Sequence, residues 1–153
     1  MPARLQLVRA EAGKRIVFGV DGSPASRTAL EWAGDEAIHH GSDLVVLTTW
    51  LPIPPPLAGT SSTLPTHGVT HPGESAKEQL METIRDVLGE DPPVLVQPQV
   101  KEGSAAKVLI DLSEEADLLV VGARGHGGFA GMLLGSVSQH VAAHAKCTVV
   151  VVR

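Results

Sequence analysis

The chain has 153 residues, 43% of them hydrophobic and 19% charged, a length that fits one domain burying roughly 70% of its unfolded surface. Two Phe, two Trp and no Tyr leave the core to Val, Leu, Ile and Ala. A formal net charge of −5 argues against a nucleic-acid partner, whose binding surface carries a basic excess or stripe.

Residues 1 to 14 are mixed and aperiodic and read as a flexible lead-in. "RIVFGV", residues 15 to 20, is a short apolar run stopped by the turn residues Asp21 and Gly22, which predicts a first strand. Ser23 and Pro24 then supply an N-cap and a first-turn proline. The helix they start puts Leu30, Ala33, Ala37 and Ile38 on one buried face and ends at His39, His40 and Gly41.

"DLVVLTTW", residues 43 to 50, predicts a second strand covered on both faces. From 51 to 73 six prolines rule out regular structure through most of the segment, and a connection this long is functional or disordered. A helix from about Glu74 to Leu88 carries Leu80, Met81, Ile84, Val87 and Leu88 on one stripe. The third strand, "VLVQPQV", contains Pro98, which cannot donate to a ladder and belongs on an edge. Ser104 caps a helix with Val108, Leu109 and Leu112 inward. "DLLVVG", residues 117 to 122, is a fourth strand, followed by a glycine-rich stretch, a helix from about Gly135 to Ala145 and a last strand "TVVVVR".

Strands alternating with helices at this spacing predict an α/β three-layer sandwich around a five-stranded parallel sheet. With strand three at a border the simplest order is 3-2-1-4-5, which makes the gap between strands one and four the topological switch point where such sheets bind ligands. The last strand closes the other border with Val149 to Val152, an edge that a second copy of the chain would cover. Cover by the N-terminal arm is the alternative.

At the switch point Gly122, Gly125, Gly135 and Ser136 fit G-x-x-G-x9-G-[ST], ending at the start of the last helix. Free N–H groups in a glycine loop and at a helix N-terminus favour an anion, and phosphate is the expected guest. A Walker A loop is excluded because Gly135-Ser136-Val137 has no lysine, and the first strand-to-helix turn, "VDGSPAS", lacks the dinucleotide fingerprint. Asp21 either supports the Gly22 bend or contacts the ligand from the central strand end. Arg124 and His126 could offer charge to phosphates or face solvent, and Ser138 could add a hydroxyl or lie on the surface.

From Arg15 to Arg153 the chain resembles the universal stress proteins, in its "VDGS" after strand one, the G-x-x-G-x9-G-[ST] motif and the Val-rich final strand. The resemblance implies a Rossmann-like fold of the adenine nucleotide alpha hydrolase type and, in the family's ATP-binding branch, a nucleotide site. Carried over, Asp21 with Val20, Gly22 and Ser23 would meet the ribose or a nucleotide-bound Mg²⁺. Gly122, Gly125, Gly135 and Ser136 would hold ribose and phosphates, with Arg124, Val137 and Ser138 added as neighbouring candidates for the same site, and backbone at Thr49 would read adenine. The resemblance also implies a homodimer through the last strand and a nucleotide-dependent regulator in the stress response, with a regulatory protein partner. Catalysis is expected to be slow hydrolysis at most.

Rival readings are a Mg-dependent hydrolase or nucleotidyl transferase using Asp21, a cAMP-binding protein, and a nucleotide-free scaffold. His140 and His144 share a face at i, i+4, but with no zinc-protease glutamate and no third ligand they read as helix-surface residues. Trp32 and Trp50 read as core or rim packing, and Cys147, the single cysteine, as a small buried hydrophobe that can form no internal disulfide. The N-terminal sequence lacks a signal-peptide core and no stretch of about 20 apolar residues occurs, so a soluble, cytoplasmic protein is expected.

Overall fold

The computed structural model describes residues 14–54, 70–125, 131 and 133–153. Five parallel strands pair in the order β3-β2-β1-β4-β5: β1 (Arg15–Gly19), β2 (Asp43–Trp50), β3 (Val96–Glu102), β4 (Leu118–Gly122) and β5 (Thr148–Val152). Four helices connect them, α1 (Pro24–His40), α2 (Pro72–Leu88), α3 (Ala105–Ser113) and α4 (Ser136–His144). The predicted topology is therefore the observed one, with Pro98 in border strand β3 and the valine strand at the opposite border.

Alternation along the strands splits the core in two. Ile16, Phe18, Leu44, Val46 and Val120 face one side and pack with α1 and α2 through Leu30, Ala33, Leu80 and Ile84. Val17, Val45, Leu47, Leu119 and Val121 face the other and pack with Val108, Leu109 and Val141 of α3 and α4. Continuous apolar runs are what a strand needs when both of its faces are covered.

Local signals behave as their chemistry requires. Ser23 Oγ accepts from the Ser26 N–H at 3.1 Å and Pro24 opens α1, while Gly41 closes it in the left-handed region at φ 61°. Ser104 Oγ accepts from the Lys107 N–H to start α3. Two predicted core positions are corrected: Ile38 is 48% exposed and Met81 40% exposed, each at the outer margin of its helix's apolar stripe. Leu112, Val87 and Leu88 are half-buried.

Helix α2 begins at Pro72, two residues earlier than expected, because His71 takes the cap position and its Nδ1 accepts from the Gly73 N–H at 3.1 Å. Strand β3 runs from 96 rather than 94, following its pairing with Leu44 to Trp50. Strand β1 stops at Gly19, although the Val20 N–H still donates to Leu47 O at 2.9 Å. Trp50 is half-buried with its ring against that of His71, and Trp32 packs at the margin of the first core cluster. The lead-in up to Gly13, most of the proline-rich segment, His126, Gly127 and Gly128 lie outside the described residues.

Candidate functional site

A cavity of about 410 Å³ opens where the carboxyl ends of β1 and β4 diverge, the switch point of the sheet. Its volume lies in the range of small-molecule sites. One wall is apolar, formed by Val20, Leu47, Val121, Ala105 and Leu109, with Thr49 at its rim. Gly19 lies close to α3 there, since a Cβ on it would stand 2.8 Å from Cδ1 of Leu109 and that side chain would have to shift.

The other wall is built from turns and helix starts. Asp21 ends β1 in a tight turn: its Oδ1 accepts from the Ser23 N–H at 2.9 Å, and Gly22 takes φ 80°, a conformation side chains resist. Its Oδ2 lies against Gly125, where any Cβ would overlap the carboxylate. Across from it, α4 starts at Ser136 after the cap residue Gly135, which has no side chain to satisfy the helix end. The N–H groups of Ser136, Val137 and Ser138 have no hydrogen-bond partner among the described residues. Three donors at the positive end of a helix dipole thus border the cavity.

The Ala123 carbonyl holds this helix start in place. It accepts from the Gly135 N–H at 2.7 Å and from the Ser138 hydroxyl at 2.9 Å. Ser138 is buried, which removes the surface position from its two alternatives, and its hydroxyl serves the backbone before any ligand. Arg124 is exposed at the cavity mouth, and with Asp21 it is one of two ionisable side chains among the lining residues.

Val20, Asp21, Thr49, Gly122, Arg124, Gly125, Gly135, Ser136, Val137 and Ser138, all singled out from the sequence, line this one cavity. Gly22 and Ser23 are not among its lining residues; they shape the turn and cap behind Asp21. Sequence reading missed Gly19, Ser26, Leu47, Ala105, Leu109 and Val121 as lining residues. For Ser26 the sequence carried no signal, because a capping box calls for Glu or Gln at the fourth position and Ser26 instead accepts from the Asp21 N–H of the preceding turn.

Elsewhere, His140 and His144 lie exposed on α4 with their rings stacked at 4.7 Å, and no group of three or more metal-ligating side chains exists among the described residues. Cys147 is half-buried, and burial, aided by the charge of Asp117, pushes its thiol pKa up. No helix among the described residues is long and apolar enough to cross a membrane.

A family model described as the universal stress protein family matches residues 13–153. A universal stress protein of Mycolicibacterium smegmatis is 39% identical over 140 residues, covering 90% of this chain and 45% of that protein. The chain spans less than half the length of the curated relatives it matches most strongly. Among solved structures, a universal stress protein in complex with cAMP superposes with a TM-score of 0.68 at 27% identity, covering 92% of this chain and 96% of that one. The universal stress protein UspA from Lactobacillus plantarum superposes with a TM-score of 0.70 at 22% identity over 92% and 97% of the two chains, a likeness of fold.

Proposed function

We propose that the chain, which belongs to the universal stress protein family, binds an adenine nucleotide in the crevice between β1 and β4 and acts as a nucleotide-dependent regulator in the cytoplasm. The observation that carries this reading is the pairing, in one cavity, of an apolar wall with three α4 N–H groups that have no partner among the described residues. Such a site suits a ligand with an anionic end and a flat apolar end. The related structure in complex with cAMP supports the adenine assignment.

ATP is the proposed ligand, with the Ser136 to Ser138 backbone and Arg124 on phosphates, Asp21 on ribose and Thr49 backbone near the base. A hard cation such as Mg²⁺ would find one carboxylate here, Asp21, so its shell would need nucleotide oxygens and water. When bound, Mg²⁺ supplies charge neutralisation for the phosphates. Among the described residues neither lining ionisable group is partnered with a nucleophile, and the proposed reading is of binding rather than turnover.

Denaturing the purified protein and identifying released nucleotide by chromatography, followed by titration of emptied protein with ATP, AMP and cAMP, tests this. Adenine nucleotide released or bound supports the reading. No binding of any of the three overturns it in favour of a scaffold, and steady turnover above about 1 s⁻¹ would make the protein an enzyme. The cAMP titration addresses the second reading, favoured by the cAMP complex of a relative.

A further inference from the structure

Ser26 is 3% exposed and lines the cavity from the first turn of α1. Its Oγ accepts from the Asp21 N–H at 3.1 Å, and its own N–H is taken by Ser23 Oγ at 3.1 Å. The hydroxyl proton has no acceptor among the described residues. Of the two buried hydroxyls that line the cavity, Ser138 is committed, donating to Ala123 O at 2.9 Å, whereas Ser26 only accepts; Ser23, which also only accepts, stands behind the turn and outside the lining. A buried donor without an acceptor is costly, so this proton should be met by something that enters the cavity.

An incoming N–H on Oγ also polarises the hydroxyl toward giving up its hydrogen bond. The setting favours an anionic acceptor, because Ser26 sits at the positive end of the α1 dipole and lines the same cavity as the N-terminus of α4. Ala25 O approaches within 3.8 Å of where a Cβ on Gly122 would stand, so the first turn of α1 reaches the end of β4. From this geometry we infer that Ser26 donates its hydroxyl proton to a phosphoryl oxygen of the bound nucleotide and thereby discriminates nucleotide from nucleoside. The inference rests on the nucleotide reading above.

Two ligands that differ by the phosphate alone separate contact from positioning. Wild type, Ser26→Ala and Ser26→Cys are titrated calorimetrically with AMP and, by displacement, with adenosine, and their unfolding is followed by heating. Loss of a hydrogen bond to a charged oxygen should weaken AMP about tenfold in Ser26→Ala and leave adenosine within about twofold. Cysteine keeps the volume with a weak donor, so Ser26→Cys should fall between, and it decides the matter if the alanine variant does not fold.

AMP and adenosine weakened alike would overturn the inference, leaving Ser26 as a positioning residue for Asp21. Unchanged affinity for AMP would overturn it outright while the nucleotide reading stands. A wild-type chain that binds neither AMP nor ATP overturns both.

Discussion

A Cβ on Gly125 would overlap Oδ2 of Asp21, so the carboxylate at the end of β1 rests directly on the backbone of the loop that leaves β4. The two halves of the switch point are in contact through a side chain and a bare Cα. Gly125→Ala must therefore displace Asp21, and the bond from the Ser23 N–H to Oδ1 with it. The expected outcome is nucleotide affinity lower by about tenfold, comparable to losing one hydrogen bond to a charged group. Because the turn is at the surface, the melting temperature should move little. Calorimetric titration beside thermal unfolding checks both, and unchanged affinity in Gly125→Ala and Asp21→Ala would remove Asp21 from the site.

Gly122 behaves differently. An added Cβ would make ordinary contacts, 3.7 Å to Arg124 O and 3.8 Å to Ala25 O, so Gly122→Ala should fold normally. Gly122 lines the cavity, and on the proposed function its methyl would crowd the nucleotide there, so weaker ATP binding with an unaltered unfolding curve is the expected pair of results.

Ser138→Ala should reveal how much the helix start depends on its clamp. Ala123 O keeps the Gly135 N–H, so no acceptor is orphaned, and the loss is that of one buried neutral hydrogen bond, about 1 kcal/mol. Urea unfolding with an unchanged slope measures it.

The fold was legible because its signals agree with one another: buried strands read as apolar runs, caps at Ser23 and Ser104, and a proline that fixes β3 at a border. The site backbone was legible for the same reason, since a spaced glycine motif can mark where donors lie free. What escaped was whatever depends on packing between elements. Leu47 and Leu109 read as core residues, and they are, but at the mouth of the crevice a core face becomes a cavity wall. Ser26 escaped because its neighbour in space, the Asp21 N–H, is set by the turn and not by helix periodicity. Met81 and Ile38 satisfied the helix spacing, yet three-layer packing left the edge of each stripe uncovered.

His71 closes the far side of the sheet's carboxyl end. Its ring meets that of Trp50 at 4.8 Å and 78° while Nδ1 caps α2. Losing a side-chain cap costs about 1 kcal/mol, and His71→Ala should lower stability by that amount. In a Trp32→Phe background the emission of Trp50 should also change, because its edge-to-face neighbour is gone. A spectrum identical to that of the parent would dissolve the pairing.

Cys147 should react slowly. Burial raises its thiol pKa and Asp117 raises it further, so the thiolate is scarce at neutral pH. Alkylation by iodoacetamide is expected to lag a free cysteine at pH 8 and to rise only at pH above the ordinary thiol range. The sign for stability follows: the fold holds the neutral thiol, so this contribution is complete below the unfolded-state pKa and fades as pH climbs through the higher folded value. Rapid labelling of folded protein at neutral pH would contradict the shift.

The border strand β5 carries Val149 to Val152, each half-buried, and its outer side has no neighbouring strand among the described residues. The other border is guarded by Pro98, Lys101 and Glu102, whereas here Arg153 follows the valines as the one charge. That asymmetry is the physical reason to propose a homodimer through β5, since a second copy would pair the edge and bury the valines on both faces. Val150→Lys places an ammonium in the border strand beside its β4 partner Val120, where Val150 also packs against the first core cluster, so thermal unfolding of the variant is followed as well. Sedimentation velocity should find wild type as a dimer and the variant shifted to monomer, with the circular dichroism of both alike. A wild-type chain that sediments as a monomer at its highest soluble concentration would refute the dimer, and the valine edge would then need cover from within the same chain.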